Sequence, residues 1–399
     1  VLGNVSTQRI ETNGGAIAIN SAGAIETNGQ DLVTINGANN GGDISLKATN
    51  GNITTGNLFS YSRSDSGNTA NGGNISLEAA NGSITSSSLY PYSYSTSDSG
   101  STGNGGAISL KAANGITTGD LYSSSYSTSS SAGNGGVINL EANNGNVTIS
   151  DLSAFSYSPV DSGGNGGTII FTANGNITTG GMNSEAGDTS NGGDITLTSK
   201  TGAIDTTKGT ITSQIRDNSD GTGNAGAIAF SAQGDIQTAT VNASAEKGNG
   251  GSIKLISKNG TINTTAGDLV TDSRSGDGSA IFLSAFNNVT TGRIISEAGS
   301  NGGDIIISAV HGNIATIGDL LSDSQNTRSR STGGAITLSA GANINTQNLN
   351  SGSSASAFST AGKGGAITLS AGADIITQNL NSLSSSVTDI AGAGGAIIL

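Results

Sequence analysis

The chain has 399 residues, with 64 Gly, 2 Pro, 1 His and no Cys or Trp, which excludes disulfides, thiolate nucleophiles and cysteine metal sites. Its 15 Lys+Arg stand against 28 Asp+Glu, a net charge of −13, which argues against the clustered basic surface that a nucleic-acid binder needs. A hydrophobic content of 33% with abundant Gly, Ser, Asn and Thr would fit disorder, but the apolar residues recur with a period.

The chain opens with Val1-Leu2, read as the tail of a strand, followed by Val5 and Ile10 as a second and a third strand. From there the phrase Gly-Gly-x-Ile-x-Leu, with small variations, recurs 14 times, its Ile falling at Ile17, Ile44, Ile75, Ile108 and so on to Ile397, at intervals of 24 to 33 residues. A second phrase, Gly-x-Ile-x-Thr, places an apolar residue 8 or 9 positions after each of the first thirteen, from Ile25 and Ile53 to Ile375. A third apolar landmark follows 5 to 7 residues later, at Leu32, Leu58, Leu89, Leu121, Leu152, Met182 and onward to Leu380. Segments such as Ile108-Ser109-Leu110 alternate apolar with polar, as strands with one buried face do. A unit of about 29 residues with three such strands cannot cover its own apolar face, whereas stacked units can.

The predicted fold is therefore all-β: a right-handed parallel β-helix of about 13–14 coils, three strands and then a loop in each, running as one solenoid over residues 1–399. At ~4.8 Å per coil it would extend roughly 65 Å. No separate capping or catalytic domain, transmembrane helix or signal peptide is read from the sequence. Asn precedes the glycine pair at Asn13, Asn40, Asn71, Asn104 and Asn134, where a tight corner is expected to need positive φ. A second corner carries Asn50, Asn81, Asn114, Asn144, Asn174 and Asn259, expected to hydrogen-bond along a column. Strands at both ends lack a cap, so Val5, Ile10, Ile397 and Leu399 are expected to contact a neighbouring copy or a continuation of the same chain.

The units from Asn104 to Thr118 and from Asn134 to Thr148, the latter reading Asn-Gly-Gly-Val-Ile-Asn-Leu-Glu-Ala-Asn-Asn-Gly-Asn-Val-Thr, resemble the shaft repeats of filamentous-haemagglutinin-like exoproteins. That resemblance covers nearly the whole chain. It implies two-partner secretion from a Gram-negative cell through an outer-membrane barrel, and a role outside the cell or on its surface as adhesin, matrix fibre or toxin stalk. The family's amino-terminal secretion domain, with its Asn-Pro signature, has no match; the prolines are Pro91 and Pro159.

No catalytic constellation emerges. His311 is the sole histidine and holds a corner position, so it reads as a turn residue and serine–histidine chemistry has no base to draw on. Carboxylates recur at Asp43, Asp194 and Asp304 and at Asp120, Asp151, Asp268 and Asp319, with Asp120 and Asp151 the one pair in adjacent coils; both sets read as solvated turn residues. Calcium-binding nonapeptides are absent, and neither metal nor cofactor is expected. Thr54, Thr85, Thr117, Thr148 and Thr178 form an outward column of the kind that binds ice, but it is a single rank and degrades to Asp205, Gln237 and Asn263.

The least bland feature is aromatic. Phe59, Tyr90 and Tyr122 lie one residue after the third landmark, Tyr61, Tyr92 and Phe155 three after, and Tyr94, Tyr126 and Tyr157 five after, so all are expected on the outer face of four consecutive coils. Such a face could stabilise the sheet, pack laterally against another fibre, or carry a surface polysaccharide on its rings. The expected function is a non-enzymatic structural or adhesive β-solenoid, binding through exposed faces and Ser-rich loops such as Ser123–Ser131. The alternatives are a fibre subunit stacking end to end and a polysaccharide-binding or polysaccharide-cleaving β-helix.

Overall fold

The computed structural model describes residues 3–159, 163–187, 189–215, 222–326, 331–355, 362–386 and 391–399. Val1 and Leu2, assigned to the opening strand, lie outside the described residues. The chain divides into two compact units, Val1–Gly202 and Ala203–Leu399.

In the first unit three parallel sheets have seven strands each, and their members succeed one another coil by coil. One coil shows the logic. Ile75–Ala79 alternates buried and outward residues, Ile84–Ser86 and Leu89–Tyr90 follow around two corners, and each pairs with its copies in the coils before and after. Registers match residue for residue, Ile75 beside Ile44 and Ile108, Leu77 beside Leu46 and Leu110. Ile44, Ile75, Ile84, Leu58 and Leu89 are 0% exposed. Each such side chain removed from water contributes roughly 1.5–3 kcal/mol, and the neighbouring coil supplies the cover that its own coil lacks.

The glycine pairs are needed for a reason other than the expected one. Among the described residues only Gly14, Gly29 and Asn28 have positive φ. What excludes a side chain is the next coil: a Cβ on Gly106 would stand 2.1 Å from the Gly73 carbonyl oxygen, and one on Gly42 would stand 2.5 Å from that of Gly15. The bare backbone also receives the third arm, where Ser60 Oγ donates to the Gly42 carbonyl at 2.6 Å, and Ser123 and Ser184 donate likewise to Gly106 and Gly167. The asparagines before the pairs form a ladder. The amide N–H of Asn71 donates to Asn40 Oδ1 at 3.1 Å, Asn104 to Asn71 at 2.7 Å, Asn134 to Asn104 at 2.8 Å and Asn165 to Asn134 at 2.8 Å. At the second corner the expected side-chain bond joins Asn81 Nδ2 to Asn50 Oδ1 at 3.1 Å.

Several coils carry a fourth strand where a loop was expected: Ser62–Ser64, Ser93–Ser95, Ser125–Ser127 and Ser156–Tyr157 pair in parallel. Its inner face is serine because it meets polar backbone at close range. Ser62 Oγ donates to the Gly37 carbonyl at 2.9 Å, Ser93 to Ala70 at 2.8 Å and Ser125 to Gly103 at 2.7 Å. Ser123, Ser124, Ser125 and Ser127 are accordingly buried, which corrects the expectation that Ser123–Ser131 is an exposed binding loop.

The second unit repeats the plan, with seven strands in each of three parallel sheets and a fourth strand at Ser324–Asn326, Ser353–Ala355 and Ser384–Ser386. Ile228, Ile253, Ile281, Ile305 and Ile336 form its innermost column, all 0% exposed. An inward threonine column is unusual: the hydroxyls of Thr206, Thr238, Thr264, Thr291 and Thr346 are enclosed without a hydrogen-bond partner. Val5 and Ile10, half-buried, lie in strands paired to Ile25–Glu26 and Leu32–Thr34. Ile397 and Leu399 are 46% and 71% exposed, Ile397 pairing with Ile367.

Candidate binding face

The third arm of the first unit is built by alternation. Leu58, Leu89, Leu121 and Leu152 point inward, as do Ser60, Ser62, Ser93, Ser123, Ser125 and Ser156, all at most 2% exposed. The residues between them must face outward. They are Phe59, Tyr61 and Arg63 in one coil, Tyr90, Tyr92 and Tyr94 in the next, Tyr122, Ser124 and Tyr126 in the third, and Ser153, Phe155 and Tyr157 in the fourth. The structure therefore brings together all nine aromatic residues singled out from the sequence.

Their rings are half-buried rather than open, because they cover one another. Along the coil-to-coil direction they stack: Phe59 on Tyr90 at 5.0 Å between centroids, Tyr90 on Tyr122 at 5.4 Å, Tyr61 on Tyr92 at 4.6 Å, Tyr94 on Tyr126 at 5.2 Å and Tyr126 on Tyr157 at 5.0 Å. Along each strand neighbouring rings meet edge to face, at 6.2 Å for Phe59–Tyr61, 6.5 Å for Tyr90–Tyr92 and 6.4 Å for Tyr92–Tyr94. Each such pair adds about 0.5–1.5 kcal/mol beyond simple burial, so the face also strengthens the sheet beneath it.

Burial, reinforced by the neighbouring Tyr61, pushes the Tyr92 phenol up to about 12, and Tyr92 donates a hydrogen bond to Tyr61. Burial also raises Tyr122, helped by the carboxylates of Asp120 and Asp151. At one margin the Arg63 guanidinium lies 5.7 Å from the Tyr94 ring centroid and 3.4 Å from Asp65. The face encloses a groove of about 450 Å³ whose wall is aromatic and whose floor includes Ser93 and Ser124.

The second unit carries a different surface at the same place in the coil. Three residues after Leu269, Ile294 and Leu320 come Asp272, Glu297 and Asp323, stacked in successive coils, the first two lining a groove of about 560 Å³ with Glu246 and Arg274. Burial raises all three carboxyls, Asp323 to about 6, with Glu297 adding repulsion against the hydrogen bonds from Gly352 and Asn350. Sequence reasoning missed this column, although the three-residue offset that located Tyr61, Tyr92 and Phe155 also marks it.

The carboxylates that were considered serve the backbone. Asp43 Oδ1 accepts from Asn74 N–H at 2.7 Å, Asp304 from Ala335 at 2.8 Å, Asp120 from Asp151 at 3.3 Å, Asp151 from Gly181 at 2.7 Å and Asp319 from Asn348 at 3.2 Å. Asp268 pairs with Arg293 at 2.9 Å. His311 lies in an exposed bend, edge-on to Phe286 at 4.6 Å. Thr54, Thr85, Thr117, Thr148 and Thr178 align in register as a single outward rank. No family model, no curated protein and no solved structure matches the chain.

Proposed function

We propose that the chain is a structural and adhesive segment of an extracellular fibre, of the filamentous-haemagglutinin-like kind, attached to its surroundings through the aromatic face at residues 59–157. The observation that carries this reading is the face itself. A coil needs its Leu and Ile columns to fold, and nothing in that requirement calls for nine outward rings on four successive coils. Concentrated, half-open aromatic surface on a low-charge scaffold is the usual mark of a contact region. The repeat supports it mechanically, since each coil is bonded to the next along three sheets, a construction suited to bearing load between two attachment points.

On this reading the parent protein leaves a Gram-negative cell through a partner barrel in the outer membrane, folds outside, and works without catalysis. The test is retention of purified protein on bacterial surfaces and extracted matrix, comparing the native chain with a Tyr90→Ala/Tyr94→Ala/Tyr126→Ala variant whose circular dichroism matches it. Retention that falls several-fold supports the reading. Equal retention of the two proteins would remove the face from any adhesive role.

A further inference from the structure

We propose that the step in the aromatic ladder at Ser124 is a binding subsite for one pyranose ring of a neutral polysaccharide. This rests on the adhesive reading of the same face and names what the face would hold.

Register defines the step. Ser62, Ser93, Ser125 and Ser156 pair in succession, so the outward residues just before them, Tyr61, Tyr92, Ser124 and Phe155, occupy one column. Three of the four carry a ring and the third does not. The backbones that carry Tyr92 and Phe155 stand two coil spacings apart, about 9.6 Å, with a serine between them, and the Phe155 ring leans toward that serine's coil, edge-on to Tyr126 at 6.5 Å. That serine is turned down, its hydroxyl donating to the Ser153 carbonyl at 3.1 Å and its surface 6% exposed. The sides are closed by Tyr122 and Tyr126 of the same coil, and the whole opens into the 450 Å³ groove. The groove and its aromatic lining suit a single six-membered ring with apolar faces.

The rim narrows the choice. Arg63, a cation, lines the groove at one side, phenol hydroxyls stand beside it, and the carboxylates of Asp120 and Asp151 lie beyond Tyr122, outside the groove's own lining. A hydrocarbon ring from a protein side chain would take the phenol hydroxyls and the guanidinium from water and return no hydrogen bond, which is costly. A pyranose has C–H faces for the rings and a periphery of hydroxyls that both donate to phenol oxygens and accept from a guanidinium. Acidic sugars meet the carboxylate pair and a chain of net charge −13.

The experiment is affinity electrophoresis and calorimetry of the full 399-residue chain with galactomannan, laminarin and dextran as neutral probes and alginate and polygalacturonate as acidic ones. The expected result is retardation by a neutral probe and none by the acidic ones. Ser124→Tyr, which supplies the missing rung, should weaken binding roughly tenfold or more, with a melting temperature unchanged or higher. Ser124→Ala, which keeps the step, should bind like the native chain. Native-like binding by Ser124→Tyr would overturn the proposal. So would the absence of any neutral-probe binding while surface retention persists, an outcome that leaves the adhesive reading standing. If Ser124→Tyr instead abolishes self-association in sedimentation and polysaccharide has no effect, the occupant is a side chain of a second copy and the proposal fails. Loss of surface retention as a property of the native chain would remove the adhesive reading as well.

Discussion

Gly106 and Gly73 touch through bare backbone: a Cβ on Gly106 would lie 2.1 Å from the Gly73 carbonyl oxygen, while that oxygen's coil is closed by Ser60 on one side and the Asn ladder on the other. Stacking at ~4.8 Å leaves no room for a methyl group at this column.

Gly106→Ala should therefore destabilise the first unit by about 2–4 kcal/mol, as backbone clashes that cannot relax do. Gly67→Ala, where nothing lies within 4 Å of an added Cβ, should be neutral. Thermal unfolding followed by circular dichroism measures both.

In the second unit the Thr238 hydroxyl is buried with no partner. Thr238→Val keeps the shape and removes the unpaired group, so stability should rise by about 1 kcal/mol. Urea unfolding reads this directly, and a fall in midpoint would show that the hydroxyl is satisfied.

Asp323 has its carboxyl raised to about 6 by burial and by Glu297. An unfolded aspartate titrates near 3.9. Between those values the folded state binds more protons, so its stability is greatest at the acid end and falls as pH rises through the window. Asp323→Asn should flatten that dependence and stabilise the protein at neutral pH by about 1–2 kcal/mol. Urea midpoints at pH 4.5 and 7.5 provide the comparison. A native chain more stable at 7.5 than at 4.5 would contradict the prediction.

Tyr92 is held neutral up to about 12. In a spectrophotometric titration of the folded protein Tyr92→Phe should remove a phenol that ionises late. Because the folded state favours the protonated phenol, the stability it contributes is present below the ordinary value of about 10 and is lost as pH climbs through the raised one.

The coil plan was legible because its signal is periodic. Ile75, Ile84 and Leu89 were located by spacing alone, and each begins a strand. The outward set from Phe59 to Tyr157 followed from counting odd positions after those landmarks. The fourth strand was not legible, since Ser93 and Ser125 point inward without the hydrophobicity that ordinarily marks an inner face; their burial depends on carbonyls at Ala70 and Gly103 supplied by a different part of the coil. Gly42 and Gly106 were recognised as special for a conformation they do not adopt, because close approach between coils leaves no trace in one unit's own sequence. Asp272, Glu297 and Asp323 were overlooked for a related reason: their carboxyls are raised by burial and then by the carboxylates that stacking places beside them, neither of which one unit's sequence shows.

The asparagine ladder has a direction. Asn71 donates its amide back to Asn40, Asn104 back to Asn71, Asn134 back to Asn104, and in the second unit Asn249 back to Asn224. Each of these coils thus presents a ready-made acceptor to the coil that follows it in the chain. A polypeptide folding from its amino end would therefore find a template already in place, each new turn locking onto the last.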